Sequence, residues 1–206
     1  HDAFISNSYP DLAALPRGGK IGTSSLRRKS QLTAQRPDLV IEDLRGNLDT
    51  RLRKLDEGMY DAIILAAAGL NRLGMATRIT SLIDPALMLP AIGQGALGLE
   101  LRTDDRELLD GISFLNHRPT AIAVTAERSF LLRLEGGCQV PIGGYATVDG
   151  ETVTLTGLIA SLDGREILKE QATGPVDQAA ELGTGLADKL LAMGGNRILA
   201  EVYGRS

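Results

Sequence analysis

The chain has 206 residues, of which 43% are hydrophobic and 23% charged, with a formal net charge of -4. That length holds one large domain or two small ones, the composition is ordinary for a globular fold, and the acidic balance argues against general nucleic-acid binding. A single cysteine cannot close an intramolecular disulfide, and no apolar run suggests a membrane span or a signal peptide. A reducing cytoplasm is the expected compartment. The sequence opens on His1 without a methionine, and so reads as cut from something longer.

The first 90 residues alternate strand and helix signals. Lys20 to Thr23 reads as a strand end, and Ser24 to Gln35 as a helix that stops at Pro37. Asp38 to Leu44 reads as a buried strand. Asn47 suits a helix N-cap, with Leu48, Leu52 and Leu55 on one face and Gly58 closing the helix. The continuous apolar run "DAIILAAA", Asp61 to Ala68, has the character of a central parallel strand. Such alternation predicts an α/β layer with a parallel-rich sheet.

Residues 84–95 interrupt this with two prolines and two glycines. Leu97, Leu99 and Leu101 then alternate with Gly98, Glu100 and Arg102 as in a strand, and Asp104 to Leu115 reads as a helix. From Arg118 the character changes. Pro119 suits a first helical turn, and the helical face runs to Gly136-Gly137. Three strands are expected next, with tight turns at Asp149-Gly150 and Asp163-Gly164. A helix from Val176 to Met193 and a shorter one from Arg197 to Tyr203 complete a small α+β domain with a three-stranded antiparallel sheet.

Four groups could carry chemistry. Gly93 to Gly98 matches G-x-G-x-x-G, but a proline-rich loop precedes it and an alternating stretch follows, so we read it as a crossover and not a dinucleotide site. In "GTSSLRRKSQL", Thr23, Ser24 and Ser25 sit at a strand-to-helix junction where free N–H groups favour an anion. Arg27 and Arg28 lie in the first turn of that helix, where the dipole opposes a cation. The next junction, "LRGNLDTRLRKL", carries Arg45 and Arg51. Consecutive junctions of this kind open on one edge of a sheet, so these four arginines form a candidate crevice for a ligand with several carboxylates or phosphates. Solvated arginines are the plainer alternative. Asp43 and Asp49 read as charge balance or capping. The lone thiol, Cys138, follows a helix end within "LEGGCQVPIGGY"; the partial negative charge there disfavours a thiolate. An incidental free cysteine, a thiol nucleophile and a single covalent attachment all stay open on these grounds, and neither His1 nor His117 is an obvious base for it.

Taken together, "DAFISN", "GTSSLRRKSQL", "RPDLVIEDLRGNLDTRLRKL", "YDAIILAAAGLNRLG", "LPAIGQGALGLE", "AERSFLLRLEGGCQVPIGGYA" and "ILAEVYG" resemble the porphobilinogen deaminase (hydroxymethylbilane synthase) family in order along nearly the whole chain. The resemblance implies a transferase of tetrapyrrole (haem) synthesis. It would join four porphobilinogen molecules into hydroxymethylbilane, with loss of ammonia at each addition. It also implies a dipyrromethane cofactor held by a thioether to Cys138, with Thr23, Ser25, Arg27, Arg28, Arg45 and Arg51 binding its carboxylates, no metal, and a monomeric full-length enzyme.

The family pattern divides the chain into three parts. Residues 1–90 match a lobe like those of periplasmic binding proteins. Residues 91–116 match the crossover strand and helix returning to another lobe, and residues 117–206 the cofactor-attachment domain. That other lobe, with the family's catalytic aspartate, has no counterpart here, so the resemblance implies no catalytic acid–base residue in these 206 residues and no activity from them alone. It also implies that residues 96–115 lack their own sheet.

Overall fold

The computed structural model describes residues 1–137 and 140–204; Cys138, Gln139, Arg205 and Ser206 lie outside the described residues. Five short strands build the N-terminal sheet: β1 (Asp2–Ile5), β2 (Lys20–Gly22), β3 (Val40–Glu42), β4 (Ala62–Ala66) and β5 (Ser81–Ile83), in the order β3-β2-β4-β1-β5. β2 pairs parallel with β3 and with β4. β1 pairs antiparallel with β4 and β5, so it alone runs against the others.

Side chains of successive strand residues point to opposite faces, and both faces are covered. Ala3, Ile5, Ile63 and Leu65 pack with Leu52 and Leu55 of α2 (Leu48–Asp56) and Leu70 of α3 (Ala67–Arg72). Phe4, Ala62 and Ile64 pack on the other face with Leu32 of α1 (Leu26–Gln35). This accounts for the unbroken apolar run in β4: a strand buried on both sides needs no polar alternation. The caps are local. Ser25 accepts from the Arg28 N–H at 3.5 Å, and Asn47 accepts from the Thr50 N–H at 2.9 Å. Gly58, in the left-handed region at φ +73, lets the chain turn out of α2.

The second layer begins at α5 (Arg118–Arg133), with Pro119 in its first turn and His117 capping it through Nδ1. Strands β6 (Ile142–Asp149), β7 (Thr152–Ala160) and β8 (Ile167–Pro175) form an antiparallel meander, and Asp149 opposes Thr152 across the tight turn. Phe130 of α5 and Leu186 of α6 (Ala179–Leu190) bury themselves against Val153, Leu155 and Ile159. α6 passes at Leu190 into a π-helical turn, Leu191–Gly195, so the helix reaches the expected Met193, and Gly194 at φ +113 then bends the chain before α7 (Asn196–Tyr203).

Residues 96–101 depart from the sequence reading, for they form no strand, and Leu97 and Leu99 are 85% and 63% exposed. A strand needs a neighbour for its N–H and C=O groups, and no described edge lies alongside. The following helix is also shorter than expected: α4 (Arg106–Ile112) continues only as one 3-10 turn to Leu115, and Phe114 stays 80% exposed. The glycine motif at 93–98 begins in a turn and continues as irregular chain, with neither a strand before it nor a helix directly after it.

The two layers meet at this crossover. Leu89 packs with Leu158 and Ala160, the Gly144 N–H donates to the Pro90 carbonyl at 3.1 Å, and Lys169 donates to the Ala86 carbonyl at 2.9 Å. Glu127, a buried carboxylate on α5, accepts from the Gly93 N–H at 2.6 Å and from the Ala146 N–H at 2.9 Å. Burial pushes its carboxyl up, and those two backbone N–H groups pull against it without overcoming it. A carboxyl raised in the fold stabilises most in acid, and loses that contribution as pH rises through its folded pKa. Glu127→Gln keeps the shape but leaves one N–H facing an amide NH2. We expect it to cost about 1–3 kcal/mol at neutral pH, read as a lower urea midpoint, with a flatter stability profile above the ordinary carboxylate range.

Candidate functional site

The site lies at the edge of the N-terminal sheet where β2, β3 and β4 end. β2 and β3 are parallel neighbours, so the junctions that follow them lie side by side. The Thr23 N–H donates to the Glu42 carbonyl at 2.9 Å, and the Ser24 hydroxyl donates to the Leu44 carbonyl at 2.9 Å. β1 runs the other way, so its first residue reaches the same edge, where Asp2 opposes Ala66.

Asp2 is the centre of the site, 1% exposed. It receives Arg27 at 2.7 Å and Arg28 at 2.8 and 3.0 Å. Arg27 also donates to the Leu89 carbonyl at 2.6 Å, and Arg28 to the Ile64 carbonyl at 3.0 Å. Gln94, from the glycine-rich crossover, donates to Asp2 at 3.0 Å, and Gln31 bonds both the N–H and the carbonyl of Leu89. The crossover is thereby fastened to the arginine pair.

The electrostatics follow from two buried cations sharing one buried anion. Burial pushes the Asp2 carboxyl up, but the hydrogen bond from Arg27 and the charges of Arg28 and Arg27 outweigh it, and the group settles below the ordinary aspartate value. Arg28 is lowered, first by burial, against which Asp2 works; repulsion from Arg27 and Arg51 adds to the lowering. Counting Arg27, Arg28 and Asp2 alone, one positive charge is left over in a region poor in water.

The other expected residues are distributed as follows. Thr23 is buried, and its hydroxyl accepts from the Ser25 N–H at 3.3 Å. Ser25 caps α1. Arg51 donates through Nε to the Gly46 carbonyl at 2.8 Å. Arg45 is 83% exposed at the side chain, 3.6 Å from Asp43. Thus Arg27 and Arg28 are not solvated, whereas Arg45 stands out in water. Cys138 lies outside the described residues, so its relation to the arginines is not given by the geometry. Sequence reasoning missed Asp2, Gln31 and Gln94. For Asp2 there was one signal: a carboxylate opening a strand otherwise apolar through Ile5 has no business there without a buried cation. Gln31 and Gln94 carried none.

Among the described residues no group of histidine, cysteine or acidic side chains has the arrangement of a metal centre, and no helix is long and apolar enough to cross a membrane.

Residues 1–110 match the family model described as "Porphobilinogen deaminase, dipyromethane cofactor binding domain", and residues 121–192 match "Porphobilinogen deaminase, C-terminal domain". Similar curated proteins, each named porphobilinogen deaminase, come from Methylobacillus flagellatus (57% identical over 97% of this chain), Geobacter sulfurreducens (57% over 99%) and Trichlorobacter lovleyi (54% over 99%). The matched regions cover 64%, 64% and 65% of those proteins, so the chain spans just under two thirds of their length. With both domains matched, and more than half of the sequence identical to each of these relatives, the chain belongs to the porphobilinogen deaminase family.

Proposed function

We propose that this chain is the cofactor-carrying part of a transferase that joins four porphobilinogen molecules into hydroxymethylbilane, with Cys138 as the attachment residue for dipyrromethane. The observation that supports it most is the Arg27–Asp2–Arg28 cluster. Its leftover buried positive charge needs an anion, and each pyrrole of the cofactor brings an acetate and a propionate. The donor set fits those groups. Guanidinium forks suit carboxylates, and the amides at the start of α1, flanked by the Thr23 and Ser25 hydroxyls, add partial positive charge.

The roles divide by burial. Arg27 and Arg28 are held rigid by Asp2, so they offer fixed charge with little reorganisation. Exposed Arg45 and half-buried Arg51 draw acidic pyrroles in, an effect that salt screens. When bound, the cofactor supplies a covalent primer on which successive pyrroles are added. The chain's own residues bind and orient its acid side chains. On this reading the substrate is porphobilinogen, and the full-length protein is a cytoplasmic monomer.

Intact-mass measurement of protein made in cells supplied with porphobilinogen tests the proposal. The expected result is an added mass of two pyrrole units, absent after Cys138→Ser. Arg45→Ala with Arg51→Ala is expected to lower the loaded fraction, most visibly at raised salt. A bare thiol in the protein carrying all the sequence its relatives have would overturn the proposal.

A further inference from the structure

The end of α5 is built in an unusual way. Helices commonly finish on a glycine in the left-handed region, and this chain offers Gly136 and Gly137 for that role. Yet the left-handed residue is Glu135, at φ 52. The Glu135 N–H donates to the Leu132 carbonyl at 3.0 Å and the Gly136 N–H to the Leu131 carbonyl at 3.1 Å, the paired bonds of a Schellman motif. A side chain is disfavoured in that conformation, so something must hold it.

Two features do. A Cβ on Gly136 would come within 2.6 Å of the Ile142 and Leu131 side-chain ends, so the chain after Glu135 packs closely on the core. From α7, the Tyr203 hydroxyl donates to the Glu135 carbonyl at 2.6 Å. This bond spans 68 residues of sequence and ties the last described helix to the turn from which the Cys138 segment departs.

We propose that Tyr203 is a positioning residue: its hydroxyl locks the left-handed Glu135 turn and so sets the direction in which the segment bearing Cys138 leaves α5. The inference rests on the reading of Cys138 as the attachment residue. Burial and the nearby Glu135 charge push the Tyr203 phenol up, which keeps it a donor through the physiological range. Strain at a non-glycine residue persists only where its surroundings over-determine it, and here it sits three residues before Cys138.

The test reads the bare thiol, and so needs no loaded enzyme. Protein made without porphobilinogen is treated with iodoacetamide, and alkylation of its single cysteine is followed by mass. Tyr203→Phe keeps the ring and removes the donor; loss of one neutral hydrogen bond should change the alkylation rate about three- to tenfold. Glu135→Gly removes the penalty that the hydroxyl offsets. In that background Tyr203→Phe should change the rate by less than about twofold, because glycine holds the turn unaided. An unchanged rate in Tyr203→Phe would overturn the inference. So would a change that persists undiminished in the Glu135→Gly background, which marks general loosening of α7. Failure of the functional proposal shows separately, as a missing two-pyrrole mass in protein made with porphobilinogen.

Discussion

Asp2→Asn should destabilise the protein by about 3–5 kcal/mol at neutral pH, the range for stranding a buried charge by removing its partner. Asparagine fills the same space. If its oxygen takes the place that accepts from Arg28 and Gln94, its amide nitrogen faces the Arg27 donor now 2.7 Å from the carboxylate. A strong ion pair becomes a contact between donors, and two buried cations are left with no anion between them. Damage should spread to the crossover, because Arg27 and Gln94 both link Asp2 to it. Urea unfolding of wild type and variant measures the difference. pH dependence gives a second reading. The Asp2 carboxyl is lowered in the fold, so its contribution is fully present above its unfolded value and is lost as pH falls through the folded one. Wild type should lose stability from Asp2 only in strong acid, and the gap to Asp2→Asn should close there. A variant within about 1 kcal/mol of wild type at pH 7 would mean the cluster carries far less charge coupling than its geometry requires.

Gly183→Ala is the second large effect, in the C-terminal layer. Gly183 lies where α6 crosses α5. A Cβ there would overlap the Ala126 carbonyl oxygen and stand 2.9 Å from the Phe130 nitrogen. Both are backbone atoms, so no side chain can rotate away and the helices themselves must part. Alanine gains about 1 kcal/mol in helix propensity over glycine, but overpacking of this kind costs up to about 3 kcal/mol and occasionally more. We expect a net loss of up to about 2 kcal/mol, with the α5–α6 contact opened. Gly185→Ala, two residues along the same helix, is the control. Nothing lies within 4 Å of a Cβ there, so the propensity gain stands alone and the variant should be slightly more stable than wild type. Thermal unfolding of the pair gives opposite signs if this packing is correct. Equal shifts would show that Gly183 is not a contact point.

The α/β lobe and the three-stranded meander were readable in the chain because they rest on local signals. Apolar periodicity, Asn47 and Pro119 at helix starts and Asp149-Gly150 at a hairpin depend on neighbours a few residues away. The same local reasoning misjudged residues 97–101. Alternation there describes a strand's faces, but a strand exists only when another supplies hydrogen bonds. That the junctions after β2 and β3 share one sheet edge was also legible, since parallel order forces adjacent junctions together.

Alone, then, the sequence determined most element types, the turns, the family and the shared edge of the first two junctions, for each is written in short-range pattern or in residue identity. Only the tertiary structure decided that Arg27 and Arg28 are buried on Asp2, that Gln94 ties the crossover to them, and that Tyr203 grips Glu135. Those partners lie 25, 92 and 68 residues apart. Chain reversal in β1 and the docking of α7 bring them together, and hydrogen bonding over such separations leaves no periodic trace along the chain.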